Sequence, residues 1–309
     1  MSLNILILGA GELGSAILDA LLQHPAYHPS GVTIAVAIRA ETLDSLDKGV
    51  SSPRIESLQA YRAKGITFTS ADLVEHSEQK LSELFSRHNC VVHAGAMTLP
   101  EGTQLKVTKA VLAAKVDLYI PWQWGRSGGM GLFSEQCDVR DLLRSQNHTR
   151  WYIVSCGVFM SFLFEDFWGV VVRSNQGRIT VVRALGGWDH LITATTVEDI
   201  ARCNAELLLR DTSTNHRNRT IYIAGDTMTY DEFADLVERT VGHTIERELW
   251  STEYLKSKSS EEPENKLLKY RVVFSEDKGL AWSKEDTYIT SKGIGMEGIE
   301  AYMRRMNMQ

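Results

Sequence analysis

Residues 1–14 read MSLNILILGAGELG, and this stretch decides the fold. Residues 3–8 (LNILIL) are almost wholly apolar, the pattern of a strand buried on both faces of a parallel sheet. The run passes directly into Gly9-Ala10-Gly11-Glu12-Leu13-Gly14, a G-x-G-x-x-G turn. Beyond it Leu13, Ile17, Leu18, Leu21 and Leu22 share one stripe of an amphipathic helix. Strand, glycine turn and helix in this order form a dinucleotide-binding fingerprint. The glycines allow a tight turn, let a pyrophosphate approach the backbone, and bring the helix close to the strand. The helix N-terminus adds N–H groups and a positive dipole end. Gly9, Gly11, Glu12, Leu13 and Gly14 are therefore assigned to a cofactor cradle.

Residues 32–38 (VTIAVAI) make a second strand that ends at Arg39. That position selects the cofactor. An acid there bonds the ribose 2′-OH of NAD, whereas a basic residue accepts the 2′-phosphate of NADP. Arg39 favours NADP(H), although Glu41, two residues on, offers an acid that competes for the ribose. Before this strand, residues 24–30 (HPAYHPS) are broken by Pro25 and Pro29 and read as a surface loop, not a helical histidine pair.

Strand and helix then alternate. Residues 65–69 (GITFT) form the third strand, 77–88 a helix, and 90–93 the fourth strand, which runs into Ala94-Gly95-Ala96. Small residues at this strand end let backbone pass close to the ligand, so all three join the cofactor set. His93 reads as a packed histidine. A helix over 104–115, a fifth strand over 117–120 and Pro121-Trp122-Gln123-Trp124-Gly125 follow, then a helix over 133–144. A sixth strand at 151–155 runs into Cys156-Gly157, also placed at the cofactor. The class is α/β: a Rossmann-type doubly wound parallel sheet in residues 1–157, with a smaller, mainly substrate-binding part in 158–309. Segments near 179–183 and 221–224 are expected to return to the sheet. Capping signatures at Thr195/Thr196 and at Thr229 with Glu232 open two later helices, the second ending at Gly242. The charged stretch 253–269, with Pro263, reads as a solvated segment.

Composition narrows the classes. With 309 residues the chain holds one large domain or a domain with a companion. A net charge of −6 argues against a nucleic-acid surface. No apolar run reaches the ~20 residues of a membrane span, and the apolar start lacks the basic flank of a signal peptide. Cys90, Cys137, Cys156 and Cys203 show no paired spacing, which fits reduced thiols in a cytoplasmic setting. No metal-ligand cluster, nucleophile elbow or P-loop lysine is present. The oligomeric state is not encoded in any of these patterns.

GAGELG, Arg39, the Ala71-Asp72-Leu73 that follows the third strand, and KAVLAAKVDLYIPWQWG together resemble the NmrA-like and isoflavone-reductase-like family, an atypical branch of the short-chain dehydrogenase/reductases. FSEQCDVRDLLRSQ, IVSCGVFMSFLFE, Gly186 to Asp189 (GGWD), TTVEDIARCNAELL and YIAGDTMTYDEFADLVERTVGH extend the likeness along nearly the whole chain. The PWQWG variant is most similar to a fungal subgroup found among biosynthetic enzymes. The resemblance implies an NADP-binding Rossmann fold and a small-molecule substrate. It also implies a cleft at Trp122, Gln123 and Trp124.

Isoflavone-reductase-like relatives carry a catalytic lysine on the helix after the P-x-x-x-G turn, and by register that position is Gln136. A glutamine orients a carbonyl or water but cannot exchange a proton near pH 7. Hydride delivery to a ketone or enone builds negative charge that needs a donor, whereas delivery to an iminium removes positive charge and needs none. Gln136 and Gln123 are the candidate catalytic residues, and an imine, iminium or unsaturated metabolite is the expected substrate. The short-chain Y-x-x-x-K pair has one match, Tyr254 to Lys258, and its position in the charged stretch marks it as chance. Phe159, Phe162, Glu165 and Trp188 are candidate substrate contacts, with core packing the alternative for the aromatic residues. Two other functional classes stay open: an NADP-sensing regulator without turnover, and a condensation or cyclisation enzyme that retains the cofactor.

Overall fold

A computed structural model describes residues 3–95, 99–123, 134–210, 218–276 and 279–308. Strands β1 (Leu3–Leu8), β2 (Val32–Ile38), β3 (Thr67–Ser70), β4 (Cys90–His93), β5 (Leu118–Ile120) and β6 (Arg150–Ser155) lie in the order β3-β2-β1-β4-β5-β6. Every neighbouring pair among them is parallel. The connections carry α1 (Glu12–Gln23), α2 (Ala40–Asp47), α3 (Pro53–Ala63), α4 (Glu78–Phe85), α5 (Thr103–Ala113) and α6 (Ser134–Arg144). This strand order is that of a doubly wound Rossmann sheet, and its topological switch point lies between β1 and β4. There Leu8 pairs with Ala37 on one side and with His93 on the other. One face is sealed by Leu6, Leu8 and Val91 packed with Phe85, Val111 and Leu143, all fully buried.

The next elements are β7 (Val158–Phe159), a 3-10 turn over Met160–Phe164, β8 (Val171–Arg173), β9 (Ile179–Leu185), β10 (Leu191–Thr195), α7 (Val197–Leu209) and β11 (Arg219–Tyr222). They are followed by β12 (Asp226–Thr229), α8 (Tyr230–Val241), β13 (Glu246–Trp250), α9 (Thr252–Glu261), α10 (Lys266–Ser275), α11 (Tyr288–Ser291) and α12 (Ile299–Arg305). The chain divides into two compact units that interleave in sequence. The first holds 1–123, 135–153 and 201–220; the second holds 124–134, 154–200 and 221–309. A single break at residue 157 therefore gives way to a division in which most of α7 and the start of β11 rejoin the first unit. β11 is the seventh strand of the central sheet, beside β6.

The segment near 179–183 does not return to that sheet, contrary to the sequence expectation. It forms β9 in a separate sheet ordered β13-β9-β8. The reason is local. A tight turn joins β8 to β9, closed by Ser174 N–H to the Arg178 carbonyl (2.8 Å) and by Gly177 N–H to the Ser174 carbonyl (2.8 Å). Gly177 supplies the left-handed residue that such a hairpin needs. Hairpin pairing with a neighbour closes a far shorter loop than a return to the central sheet. The third sheet, β12-β10-β7, lies in the same unit, whose aromatic core includes Phe164, Trp168, Tyr230, Phe233 and Tyr302.

Both predicted caps form. Thr196 Oγ1 accepts from Asp199 N–H (3.2 Å) at the start of α7. Thr229 and Glu232 make a reciprocal box at α8, which ends on Gly242 at φ +73°. The stretch 253–269 is largely helical, in α9 and α10, and apart from Leu255 and Leu268 its residues are exposed or half-buried. Its charges hide the signal: only Leu255 of α9 is buried, so the helix shows little apolar periodicity.

Candidate functional site: a dinucleotide cleft

A cleft of about 700 Å³ opens along the C-terminal ends of β1 to β5, and every residue lining it belongs to the first unit. That volume is in the range of small-molecule sites. Its floor is the fingerprint turn, Gly9 to Glu12, with Gly95 after β4 and Trp122 after β5. Each glycine has a distinct reason. Gly9 adopts φ +101°, a left-handed conformation open to glycine. A Cβ on Gly14 would overlap the Gly9 carbonyl oxygen, so α1 packs against the turn only without a side chain. A Cβ on Gly11 meets nothing within 4 Å. The absent side chain of Gly11 thus leaves open space where a pyrophosphate approaches the backbone.

Gly11 is also the N-cap of α1, and no side chain caps that helix. A helix N-terminus presents N–H groups and a positive dipole end towards an anion. Glu12, the first residue of α1, lines the cleft, whereas Leu13 and Ala94 are buried in the packing between helix and sheet. Neither lines the cleft. Ala96 and Trp124 lie outside the described residues.

The cleft is also lined by Arg39, Glu41, Thr42 and Arg54 and by Asp72, Leu73 and Val74. Arg39 is the N-cap residue of α2 and is exposed. Asp72 turns back on its own loop: its Oδ1 accepts from Val74 N–H (2.8 Å) and Glu75 N–H (2.9 Å). The Glu75 and then the Val74 N–H hold its carboxyl below the usual range, with smaller help from His76 and Arg39. Arg54 was not foreseen. Ser52 with Pro53, followed by Ile55, Leu58 and Tyr61 three apart, is the cap and stripe that would have revealed its helix.

His93 lies at the switch point with no exposure, and neither ring nitrogen has a partner of good geometry. Burial pushes its imidazole down to about 4, against a weaker opposing pull from the Gly95 backbone. It is a neutral packed histidine, as its place in the strand suggests.

Gln123 and Gln136 are brought together within the first unit. Gln123, fully buried, accepts from Arg140 Nε at 2.7 Å and donates through Nε2 to the Gln136 carbonyl at 3.1 Å. Its amide is consumed at both ends, tying the end of β5 to α6. Gln136 is 6% exposed, and its side-chain Oε1 has no hydrogen-bond partner. A buried acceptor left open in this way is costly unless something else supplies a donor.

The remaining sequence candidates lie in the second unit. Cys156 is fully buried, and Gly157, at φ +71°, is pressed so closely onto Thr193 that a Cβ would overlap its backbone. Phe159 and Phe162 meet with tilted rings, centroids 5.4 Å apart, and Phe162 also meets Phe167 and Trp168. Trp188 lies under the Arg247 guanidinium and against the unit's core, and Glu165 is exposed. Tyr254 and Lys258 are on the surface of α9, where Lys258 pairs with Glu261 at 2.8 Å. Among the described residues no group of three or more His, Cys, Asp or Glu could hold a metal ion, and no helix is long and apolar enough to cross a membrane.

The NmrA-like family profile matches residues 1–302. An NmrA-like family domain-containing oxidoreductase of Gibberella moniliformis is 38% identical over 316 residues, covering 100% of this chain and 99% of that protein. Among solved structures, isoflavone reductase superposes with a TM-score of 0.77 at 17% identity, covering 99% of this chain and 100% of that one. The NADPH-dependent quinone oxidoreductase QOR2 of Escherichia coli, crystallised with NADPH, gives 0.71 at 18% identity over 98% and 99%. At these identities the structures speak to the fold alone, which matches over nearly the full length. With the family profile running almost end to end, the chain belongs to the NmrA-like family.

Proposed function

We propose that this protein is an NADPH-dependent reductase of a small imine-, iminium- or otherwise unsaturated metabolite, a natural-product intermediate. The observation that carries the reading is the cleft itself: an uncapped helix N-terminus, open space over Gly11, and guanidinium groups at the end where a 2′-phosphate would lie. The relatives agree in kind. The Gibberella protein is named an oxidoreductase, and the neighbouring quinone oxidoreductase binds NADPH.

When bound, the dinucleotide supplies a hydride. The chain's own residues do the rest. Gly9, Gly11 and the first turn of α1 hold the pyrophosphate, and Arg39 pairs with the 2′-phosphate. Gly95 and Trp122 border the nicotinamide end. Gln136 offers an unpaired amide oxygen that accepts a hydrogen bond and orients the substrate without moving a proton. An iminium carbon needs no proton donor, which is why this substrate class is favoured over a ketone.

The same residue supports a second reading, a regulator that binds NADP(H) without turnover. Both are tested by mixing purified protein and NADPH with iminium, enone and ketone compounds while following the absorbance of the reduced cofactor. Turnover of iminium compounds is the expected result. Tight NADPH binding with no turnover of any class would favour the regulator.

A further inference from the structure

We propose that Arg54 is a second guanidinium for the 2′-phosphate and carries much of the discrimination between NADPH and NADH. The inference rests on the reading of the cleft as an NADPH site.

Arg54 is the second residue of α3, and the helix delivers it at a fixed place. Ser52 caps α3 by accepting from Ile55 N–H at 3.3 Å, and Pro53 sets the first helical residue. Ile55, Leu58 and Tyr61 bury one face, and Tyr61 donates its hydroxyl to the Ser15 carbonyl on α1 at 3.2 Å. At the far end Arg62 pairs with Asp47 of α2 at 2.7 Å. α3 is thus tied to both α1, which presents the pyrophosphate cradle, and α2, which starts beside Arg39. The exposed Arg54 side chain inherits that rigidity at its base.

Charge makes the case for its role. The cleft is lined by two guanidiniums, Arg39 and Arg54, and three carboxylates, Glu12, Glu41 and Asp72. Arg39 shares the cleft lining with Asp72 and with Glu41, two residues on. Arg54, among the described residues, makes no hydrogen bond or ion pair, yet it lines the cleft. A phosphate monoester brings about −1.5 to −2 charges near pH 7. Against three carboxylates a single guanidinium offers that group a poor environment; two guanidiniums make it more favourable. NADH lacks this phosphate and has nothing for Arg54 to hold.

The experiment measures equilibrium binding of NADPH, NADH and 2′,5′-ADP by titration calorimetry to wild type, Arg54→Gln, Arg54→Lys and Arg39→Gln. Melting curves verify that each variant folds. The expected result is that Arg54→Gln weakens NADPH and 2′,5′-ADP about tenfold or more and leaves NADH within about twofold, while Arg54→Lys falls between. If Arg54→Gln leaves NADPH binding unchanged while Arg39→Gln weakens it, Arg54 is no part of the site and the NADPH reading stands. Equal weakening of NADPH and NADH by Arg54→Gln overturns the proposal too, since Arg54 would then touch a part the two share. A wild type that binds NADPH no better than NADH and ignores 2′,5′-ADP overturns the reading itself.

Discussion

A side chain on Gly14 would occupy the position of the Gly9 carbonyl oxygen, so the first and third glycines of the turn are locked to each other. The middle glycine, Gly11, has open space instead. One motif therefore contains a packing requirement and a binding requirement that mutation separates.

Gly14→Ala is expected to destabilise the protein by about 2 kcal/mol or more, because backbone must move to admit the methyl group. Gly11→Ala keeps ordinary backbone angles, with φ −82°, and stays within about 1 kcal/mol of wild type. It nevertheless loses about tenfold or more in dinucleotide affinity, since its methyl fills the approach to the backbone. Denaturant melts paired with NADPH fluorescence titrations check both halves. A stable Gly14→Ala protein would contradict the packing role.

His93 makes stability depend on pH. Its folded value of about 4 lies below the ordinary 6.5. Between those values the unfolded chain binds the extra proton, so stability is full above about pH 6.5 and falls as pH drops towards 4. The loss approaches about 3 kcal/mol at the lower end. Urea unfolding of wild type and His93→Leu at pH 7 and pH 5 isolates the effect. The variant is expected to lose most of the difference between the two pH values.

The α8 capping box is worth a direct measurement. Thr229 Oγ1 accepts from Glu232 N–H at 3.1 Å, and the Glu232 carboxylate accepts from Thr229 N–H at 2.8 Å. Thr229→Ala is expected to cost about 1 kcal/mol by removing half of this exchange. Thr229→Ser, which keeps the hydroxyl, stays near wild type in the same urea titration.

Gln136 separates stability from activity. Its Oε1 is buried without a partner, so Gln136→Leu is expected to leave stability unchanged or raise it by about 1 kcal/mol. If the amide orients the substrate, the same variant lowers kcat for an iminium substrate about tenfold or more while NADPH affinity holds. Steady-state rates beside calorimetric binding give the answer. Undiminished turnover would remove Gln136 from the mechanism.

Much of the first unit is legible in the sequence because each strand and helix there has its own period. LNILIL and VTIAVAI announce buried strands, and the turn between β1 and α1 explains its own glycines. α2 and α3 are harder to read, since few of their residues are buried and their exposed faces are polar. In α3 the signal is confined to the Ser52-Pro53 cap and the stripe of Ile55, Leu58 and Tyr61, and Arg54 lies off that stripe. Gln123 illustrates a different limit. Its position at a strand end was evident, but only the structure shows both ends of its amide engaged by Arg140 and Gln136. The β8–β9 hairpin shows a third. A strand's existence follows from its residues, whereas its partner depends on which pairing closes the shorter loop.

The interleaving of the two units has a consequence for the nascent chain. β6 is buried from Trp151 to Ser155 and is flanked by β5 and by β11, which is synthesised some 60 residues after β6 ends. Until Tyr222 leaves the ribosome, the central sheet ends in a bare, apolar edge able to pair with any passing strand. A fragment stopped after Gly157, where the sequence suggests a domain ends, would keep that edge permanently open. Such a fragment is expected to aggregate on expression, while one extended through β11 gains the missing neighbour. The central sheet is thus completed by a strand that comes after β7 to β10 in the chain.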